Sequence, residues 1–458
     1  MFYRIYPSKD TYITNYQLRN IQRTGSNFGA SEILHLHKLC GVSGSAGVSA
    51  SSSFAHILTR FDIGEIESLI ASGEAQYGNI RFFLKMSDAR HDQTLPTSFD
   101  VEVQALDKDW DEGKGRDVDS FSDLGVANWV KAKSNVYWTS PGGDTVGVIA
   151  NTHFDDGHED LEVEVTDIVQ QWISYNVNNN GVMIKISSSQ EADNNDYYVK
   201  MFHGRETFFK DKRPHLEARW DNSERDDRNN FFFDVSGTLY LNHLERGQFT
   251  NIPQVGTGQL GVKIIDVSGS LISHVTASWT GFTGRYSASF AIPSGTYSGS
   301  LFTDVWHDIS NSSRWFMSGT FPISDSLNVT SVQPKRYYAT VTNLKSTYEN
   351  DEVVRMNLFI RPHDYSPARV LTASLDANGI VITKAYYRII NDRTDEVVVP
   401  FGTGSLEYTR LSYDQRGNSF KIYMNSLSPG NVYRLSFLFD VDGQRQYIDQ
   451  QGFKFKVV

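Results

Sequence analysis

The chain has 458 residues, 35 glycines, one cysteine and a formal net charge of −11. That length exceeds one ordinary hydrophobic core and predicts three domains of about 100–220 residues each. The acidic balance excludes a general nucleic-acid binder, which needs a basic surface to displace counterions. The lone Cys40 excludes an internal disulfide and a cysteine-based metal cluster. Tyr and Phe are abundant and helix-forming runs are scarce, which predicts an all-β protein with many turns. Residues 1–7 carry no apolar core of a signal peptide, and no apolar run approaches the ~20 residues that span a membrane. The chain is therefore expected to be made in a cytosol, with no export signal and no membrane insertion.

The first predicted module covers 1–228. Strand-like alternation appears at residues 32–37, 57–61, 80–86 and 99–105. Between the first two lies the Gly/Ser/Ala-rich stretch Gly41–Ser53, which reads as a flexible loop. A second insertion, Gly113–Thr152, is rich in Gly, Asp and Trp and is expected to pack as an ordered excursion. One helix is predicted where Val165, Ile168, Val169 and Trp172 fall at i, i+3, i+4 and i+7, with Thr166 or Asp167 as its N-cap. A turn at residues 178–181 then leads into a strand over Val182–Ile186. The polar run Asn222–Asn230 reads as a linker.

The second module, 229–332, shows alternating strands at residues 231–241, 260–265, 284–290 and 315–323. This spacing suggests an immunoglobulin-like sandwich. The third, 333–458, carries Leu427, Pro429, Gly430 and Tyr433 in one short run. That run resembles the turn before a late strand of fibronectin-type sandwiches, where a tyrosine hydroxyl bonds nearby backbone. Leu435, Phe437 and Phe439 alternate behind it, and Asp442-Gly443 signals a tight hairpin turn.

Catalysis by acids and bases needs carboxylates or histidines converging in a cleft with shifted pKa values. The acidic groups Asp107/Asp109/Asp111/Glu112, Asp155/Asp156 and Glu159/Asp160 lack a hydrophobic frame and read as solvated loops. No nucleophile elbow, phosphate loop, zinc-protease or dinucleotide fingerprint is present, so no enzyme is expected. His35 and His37 share one strand face but lack a third ligand, and His153 and His158 form a looser group near carboxylates. No metal site is expected from either. Asp440–Gly443 lacks the downstream acid of a calcium loop. Sugar binding would need exposed aromatics, and Trp129, Tyr137 and Trp138 in the insertion are the candidates. Their alternative role is to anchor the insertion.

One ordered set of landmarks runs through the first module: Asp10, Tyr12, Asn27, Gly29, Phe61, Asp62, Trp110, Glu112, Thr166, Trp172, Gly181, Pro214 and Leu216. In this order they resemble the carbohydrate-binding-module family also called the DNRLRE or disaggregatase-related domain. The resemblance covers about half the chain and implies a jelly-roll-like β-sandwich, with Trp110 and Trp172 in its core. It also leaves a structural calcium open by family analogy alone, with no other cofactor. Two departures are the long Gly41–Ser53 and 113–152 segments and the loose match before Phe61. One such sandwich followed by two immunoglobulin-like domains resembles exterior structural proteins of tailed-bacteriophage virions. That resemblance implies location on the virion, other virion proteins as partners and a homo-oligomer. The alternative is an adhesin for cell-surface polysaccharide, and a third reading is a polysaccharide-degrading enzyme.

Overall fold

The structure is a computed structural model, and it describes residues 1–19, 21–41, 52–118, 123–246, 248–295, 299–325, 336–363 and 380–458. Most of the Gly/Ser/Ala-rich stretch lies outside these residues. Ser53, expected at the end of that loop, instead opens a strand. The chain forms two compact units, Tyr3–Ser68 with Ile80–Arg219, and Met1–Phe2 with Leu69–Asn79 and Trp220–Val458. Strands dominate both, so the protein is all-β.

The unit holding residues 3–68 and 80–219 is a jelly-roll-like sandwich. Its strands are β1 (Phe2–Ile5), β2 (Pro7–Thr14), β3 (Ile33–Leu39), β4 (Ser53–Phe61), β5 (Arg81–Met86) and β6 (Phe99–Leu106), followed by β7 (Thr145–Phe154), β8 (Leu161–Glu164), β9 (Val182–Ile186), β10 (Tyr197–His203) and β11 (His215–Arg219). One sheet runs β7-β6-β9-β4-β3-β10 with β2 also on β4, and the other runs β1-β11-β5-β8. In β5 the buried Phe82, Leu84 and Met86 alternate with half-exposed residues, as a strand with one covered face requires.

Strand β4 behaves differently, because residues 55–59 are all buried. Leu58 lies opposite Met183, and both pack with Trp110, Trp129 and Trp138. Their neighbours Ile57 and Ile184 point to the opposite face and are also fully buried. A strand covered on both faces shows no alternation, which explains the loose match before Phe61.

Two sequence expectations need correction in this unit. The insertion does not reach Thr152: Thr145–Phe154 is strand β7 at the sheet edge, paired with β6 from Leu106 to Phe99. The predicted helix is present as α2 (Thr166–Ile173) with Ile168, Val169 and Trp172 buried, but its N-cap is Val165 and carries no side-chain cap bond. The Thr166 hydroxyl accepts the Phe82 N–H at 3.0 Å and donates to Glu164 at 2.8 Å instead. A further helix, α1 (Gly64–Ala71), was not legible in the sequence because Ile66 alone among its residues is buried. The Asp62 carboxylate accepts the Gly64 N–H at its start, at 3.1 Å.

The other unit contains two sandwiches with separate hydrophobic cores. The first comprises β12 (Phe231–Phe232), β13 (Gly237–Asn242), β14 (Gln259–Asp266), β15 (Leu271–Trp279), β16 (Arg285–Phe290), β17 (Leu301–Asp308) and β18 (Trp315–Ser324). They join in the order β12-β18-β17-β14-β15-β16-β13. β12 runs parallel to β18, and β15 pairs β16 only at Ser278 and Trp279. The sheet thus folds around Leu239, Val262, Tyr286, Trp306 and Phe321. Residues 231–241, expected as one strand, divide at Asp234, whose φ is 63°.

The second sandwich stacks two sheets. One orders β19 (Tyr337–Val341), β21 (Val353–Pro362), β25 (Gly417–Tyr423) and β24 (Ser412–Asp414). The other orders β20 (Thr347–Tyr348), β27 (Gln444–Val457), β26 (Val432–Val441), β22 (Ala385–Asn391) and β23 (Val397–Val399). A short early strand parallel to the last strand, as in β20 with β27 and β12 with β18, is the arrangement of immunoglobulin- and fibronectin-like sandwiches. The Tyr433 hydroxyl donates to the Ser428 carbonyl at 2.9 Å. Asp442 and Gly443 both have positive φ, 51° and 76°, and close a two-residue hairpin between β26 and β27.

The polar run Asn222–Asn230 is not a solvated linker. Arg228 is buried, donates to Asp226, and reaches Asp304 at 2.8 Å and the Tyr240 carbonyl at 2.7 Å. Asp304, fully buried, also accepts from the Trp306 indole at 2.6 Å. Removing one partner of a buried ion pair strands the other charge, so Arg228→Ala is expected to cost about 3–5 kcal/mol. Chemical denaturation checks this, and a loss below about 1 kcal/mol would mean the segment is solvated after all.

Candidate functional site

Seven of the sequence landmarks meet around one polar node. Asn27 is fully buried, and its amide donates to the carbonyls of Glu112 at 2.7 Å and Ala127 at 2.9 Å. Its carbonyl oxygen accepts the N–H groups of Gly29 at 3.1 Å and Gly115 at 2.9 Å. A Cβ on Gly29 would sit 2.2 Å from the Glu112 carbonyl, so only glycine allows this approach. Tyr12 stacks on Phe28 with centroids 3.8 Å apart. Trp110 is fully buried and its indole donates to Asn180 at 3.0 Å, while Lys9 bonds its carbonyl at 2.7 Å. Gly181, with φ of 88°, brings its chain against Thr59, whose carbonyl a Cβ would meet at 2.3 Å.

The remaining landmarks sit elsewhere. Phe61, Trp172, Pro214 and Leu216 are buried, Thr166 is in the first turn of α2, and Asp62 precedes α1. Leu427, Pro429, Gly430 and Tyr433 belong to the other unit.

At the centre of the node lie two carboxylates. Asp10 is 1 % exposed and accepts the Arg205 N–H. Glu112 accepts the Asp10 N–H at 2.8 Å and the Arg205 guanidinium at 2.8 Å. Burial pushes the Asp10 carboxyl up to about 7; the Arg205 N–H opposes that shift and the Glu112 charge adds to it. Burial likewise raises Glu112, against the Asp10 N–H and Arg205. This donor set does not suit a structural calcium, which takes six to eight oxygen ligands. N–H groups and a guanidinium already face both carboxylates, and a group held near neutrality repays a cation poorly. Among the described residues no group of three or more His, Cys, Asp or Glu is placed to hold a metal ion.

The aromatic candidates divide. Trp129 and Trp138 are 8 % and 4 % exposed and offer no free face for a sugar, which corrects their assignment as stacking residues. Trp129 lies parallel to Phe54 at 6.0 Å, and the Trp138 indole donates to Asn128 at 2.8 Å. Both anchor the insertion on the sheet. Tyr137 is exposed, with the Lys131 ammonium 4.7 Å from its ring centre. Sequence reasoning missed Tyr175, 80 % exposed with φ of 55°, beside a cleft of about 460 Å³. Asp62, Glu67, Asp109 and Asn178 line the same cleft. The polar run after α2 marks this turn in the sequence, but nothing there shows that the tyrosine faces outward.

The candidate ligand histidines and carboxylates are buried or paired, and both ring nitrogens of His37 are buried without a hydrogen-bond partner. His35 stacks on Tyr12 at 4.8 Å and His37 meets Tyr16 edge-on, and burial lowers their pKa values to about 4 and about 3. His153 bonds Asp100 at 2.7 Å. Asp109 pairs with Lys133 at 3.1 Å and Arg60 at 3.2 Å. In the other unit a cavity of about 200 Å³ is lined by Arg285, Arg410 and Lys421. There Lys421 meets Glu74 at 2.8 Å and Arg410 pairs with Glu407.

No protein-family model and no curated protein matches the chain. Among solved structures, the fibronectin(III)-like modules of CbhA from Clostridium thermocellum share 13% identity, covering 52% of this chain and 92% of that one, at a TM-score of 0.15. The titin domains z1z2 in complex with telethonin share 11%, covering 50% and 89%, at 0.14. Trypsin-activated alpha-2-macroglobulin from Escherichia coli shares 10%, covering 88% and 23%, at 0.15. Superpositions at these scores carry no argument, and the fold class rests on the strands themselves.

The Asp10 shift has a sign that can be measured. In the unfolded chain the carboxyl ionises near 3.8, and in the fold near 7. Between those values the folded state keeps a proton that the unfolded state has released, so this group's contribution to stability falls as pH rises through that window. Asp10→Asn removes the titration. Its stability relative to the parent should improve by roughly 2–4 kcal/mol between about pH 4 and about pH 8. Parallel pH–stability curves for the two proteins would show an ordinary carboxyl.

Proposed function

We propose that this chain is a non-catalytic structural protein of the exterior of a tailed-bacteriophage virion, acting by docking and display. The observation that supports this most is the placement of its exposed apolar side chains. Val146 and Val148 lie on edge strand β7, and Phe208 and Phe209 adjoin on one loop, each more than half exposed. Exposed aromatic pairs and uncharged sheet edges are what protein partners engage. Asp109 is paired with Lys133 and Arg60, His153 with Asp100, and Glu112 with Arg205. The DNRLRE-like landmarks supply the frame of the first sandwich, and the two immunoglobulin-like sandwiches supply further docking faces.

A second reading, an adhesin for cell-surface polysaccharide, is favoured by one feature, the polar cleft beside Tyr175. An exposed ring flanked by carboxylates and amides can stack on a sugar while its neighbours bond hydroxyls.

Mass spectrometry and cryo-electron microscopy of virus particles from the source organism test the first reading. Fixed, symmetric copies of the chain are expected, and particles lacking it would overturn the assignment. A glycan array with the full chain and Tyr175→Ala then separates the second: binding lost in the variant establishes the adhesin, and no binding by either protein removes it.

A further inference from the structure

A pair of histidines in the second module is built around a missing side chain. On β14, Leu260 and Val262 are buried in the core, so Gly261 between them points to the opposite face. In the register Gly261 lies opposite His307 on β17, and Lys263 lies opposite His274 on β15. Both imidazoles lean into the space that glycine leaves. A Cβ at 261 would come within 2.3 Å of His307 Cε1, 2.6 Å of His307 Nε2 and 2.9 Å of His274 Nε2. The rings stack with centroids 5.0 Å apart and planes 29° from parallel, and their Nε2 atoms are 2.9 Å apart.

The tautomer of one ring is fixed by its second nitrogen. His307 is 1 % exposed, and its Nδ1 lies 2.8 Å from the Asp308 carbonyl. A carbonyl only accepts, so Nδ1 carries a proton, and in the neutral tautomer that this fixes the Nε2 lone pair faces His274. An outer N–H held by a backbone carbonyl is the support that metal-binding imidazoles use. His274 is solvent-exposed, so the pair opens to solvent on its side.

We propose that His274 and His307 form a two-histidine site for a borderline transition-metal dication of the Cu²⁺ or Ni²⁺ class. With metal–nitrogen bonds of about 2.0–2.1 Å, nitrogens 2.9 Å apart subtend about 90° at the metal. That is the cis angle of square-planar and octahedral ions rather than the wider tetrahedral angle that Zn²⁺ prefers. Water completes the coordination, since no third His, Cys, Asp or Glu among the described residues joins the pair. The competing account is a simple hydrogen bond from His274 to His307.

Titration of the full chain with Cu²⁺ alone and with Ni²⁺ alone, by calorimetry and by electron paramagnetic resonance for Cu²⁺, decides between them. Other histidines bind in every variant, so the readout is the difference from His274→Ala and His274→Gln. The parent should bind one equivalent that shows two nitrogen donors, and both variants should lose it or weaken it by at least about 10-fold. Thermal unfolding with a chelator present should be alike in all three, because His274 lies on the surface. Equal stoichiometry and affinity in parent and variants would overturn the site and leave the hydrogen bond.

Discussion

The side chain of Asn27 sets the form of the first sandwich. A buried amide has two donors and a two-lone-pair acceptor, and Asn27 uses all four positions on backbone from three stretches of chain. Those bonds tie the turn at Gly29 to the start of the insertion at Glu112 and Gly115 and to its middle at Ala127. With both ends of that span fixed, Trp110, Trp129 and Trp138 lie on Leu58 and Met183. The seven-stranded sheet therefore has cover on a face that a plain sandwich would leave to solvent. Each orphaned backbone group would cost about 1–3 kcal/mol in such a place, so this one residue is hard to replace by anything that cannot both donate and accept twice.

That geometry also explains what the sequence could and could not say. Alternation located β5 and the first half of β6, where one face is covered, and the stripe Ile168–Val169–Trp172 located α2. Tyr433 and the Asp442-Gly443 turn were legible because their chemistry is local: a hydroxyl reaching five residues back, and two residues in the left-handed region. Two of the gaps share one cause, a partner far away in sequence. Arg228 looked solvated because Asp304, 76 residues on, is what buries it. For Trp129 and Trp138 the sequence left two roles open, sugar stacking and anchoring the insertion, and only the distant sheet at positions such as Leu58 decides for anchoring. Strand β7 was hidden inside the same insertion for a local reason: its register against β6 shifts between Thr145 and Val148 and again between Val148 and Ala150, which breaks the alternation.

The landmarks of the first module are consequently a poor guide to what it binds. Asn27, Trp110 and Glu112 hydrogen-bond to backbone and to Arg205, and Gly29 donates to Asn27, so these residues hold loops together, while Asp10 keeps one buried oxygen, Oδ1, without a partner. Binding requires groups with capacity to spare. Exposed groups lie mostly away from the landmarks: the outer side of β7, the adjoining Phe208 and Phe209, the His274–His307 pair, and the ring of Tyr175, whose cleft shares only Asp62 and Trp172 with them. A family of such sandwiches could keep the node and vary each of these positions independently, because none of them is bonded to it. The node that holds the first sandwich together and the exposed groups are thus largely different residues, and substitutions at the node should alter stability more than surface chemistry.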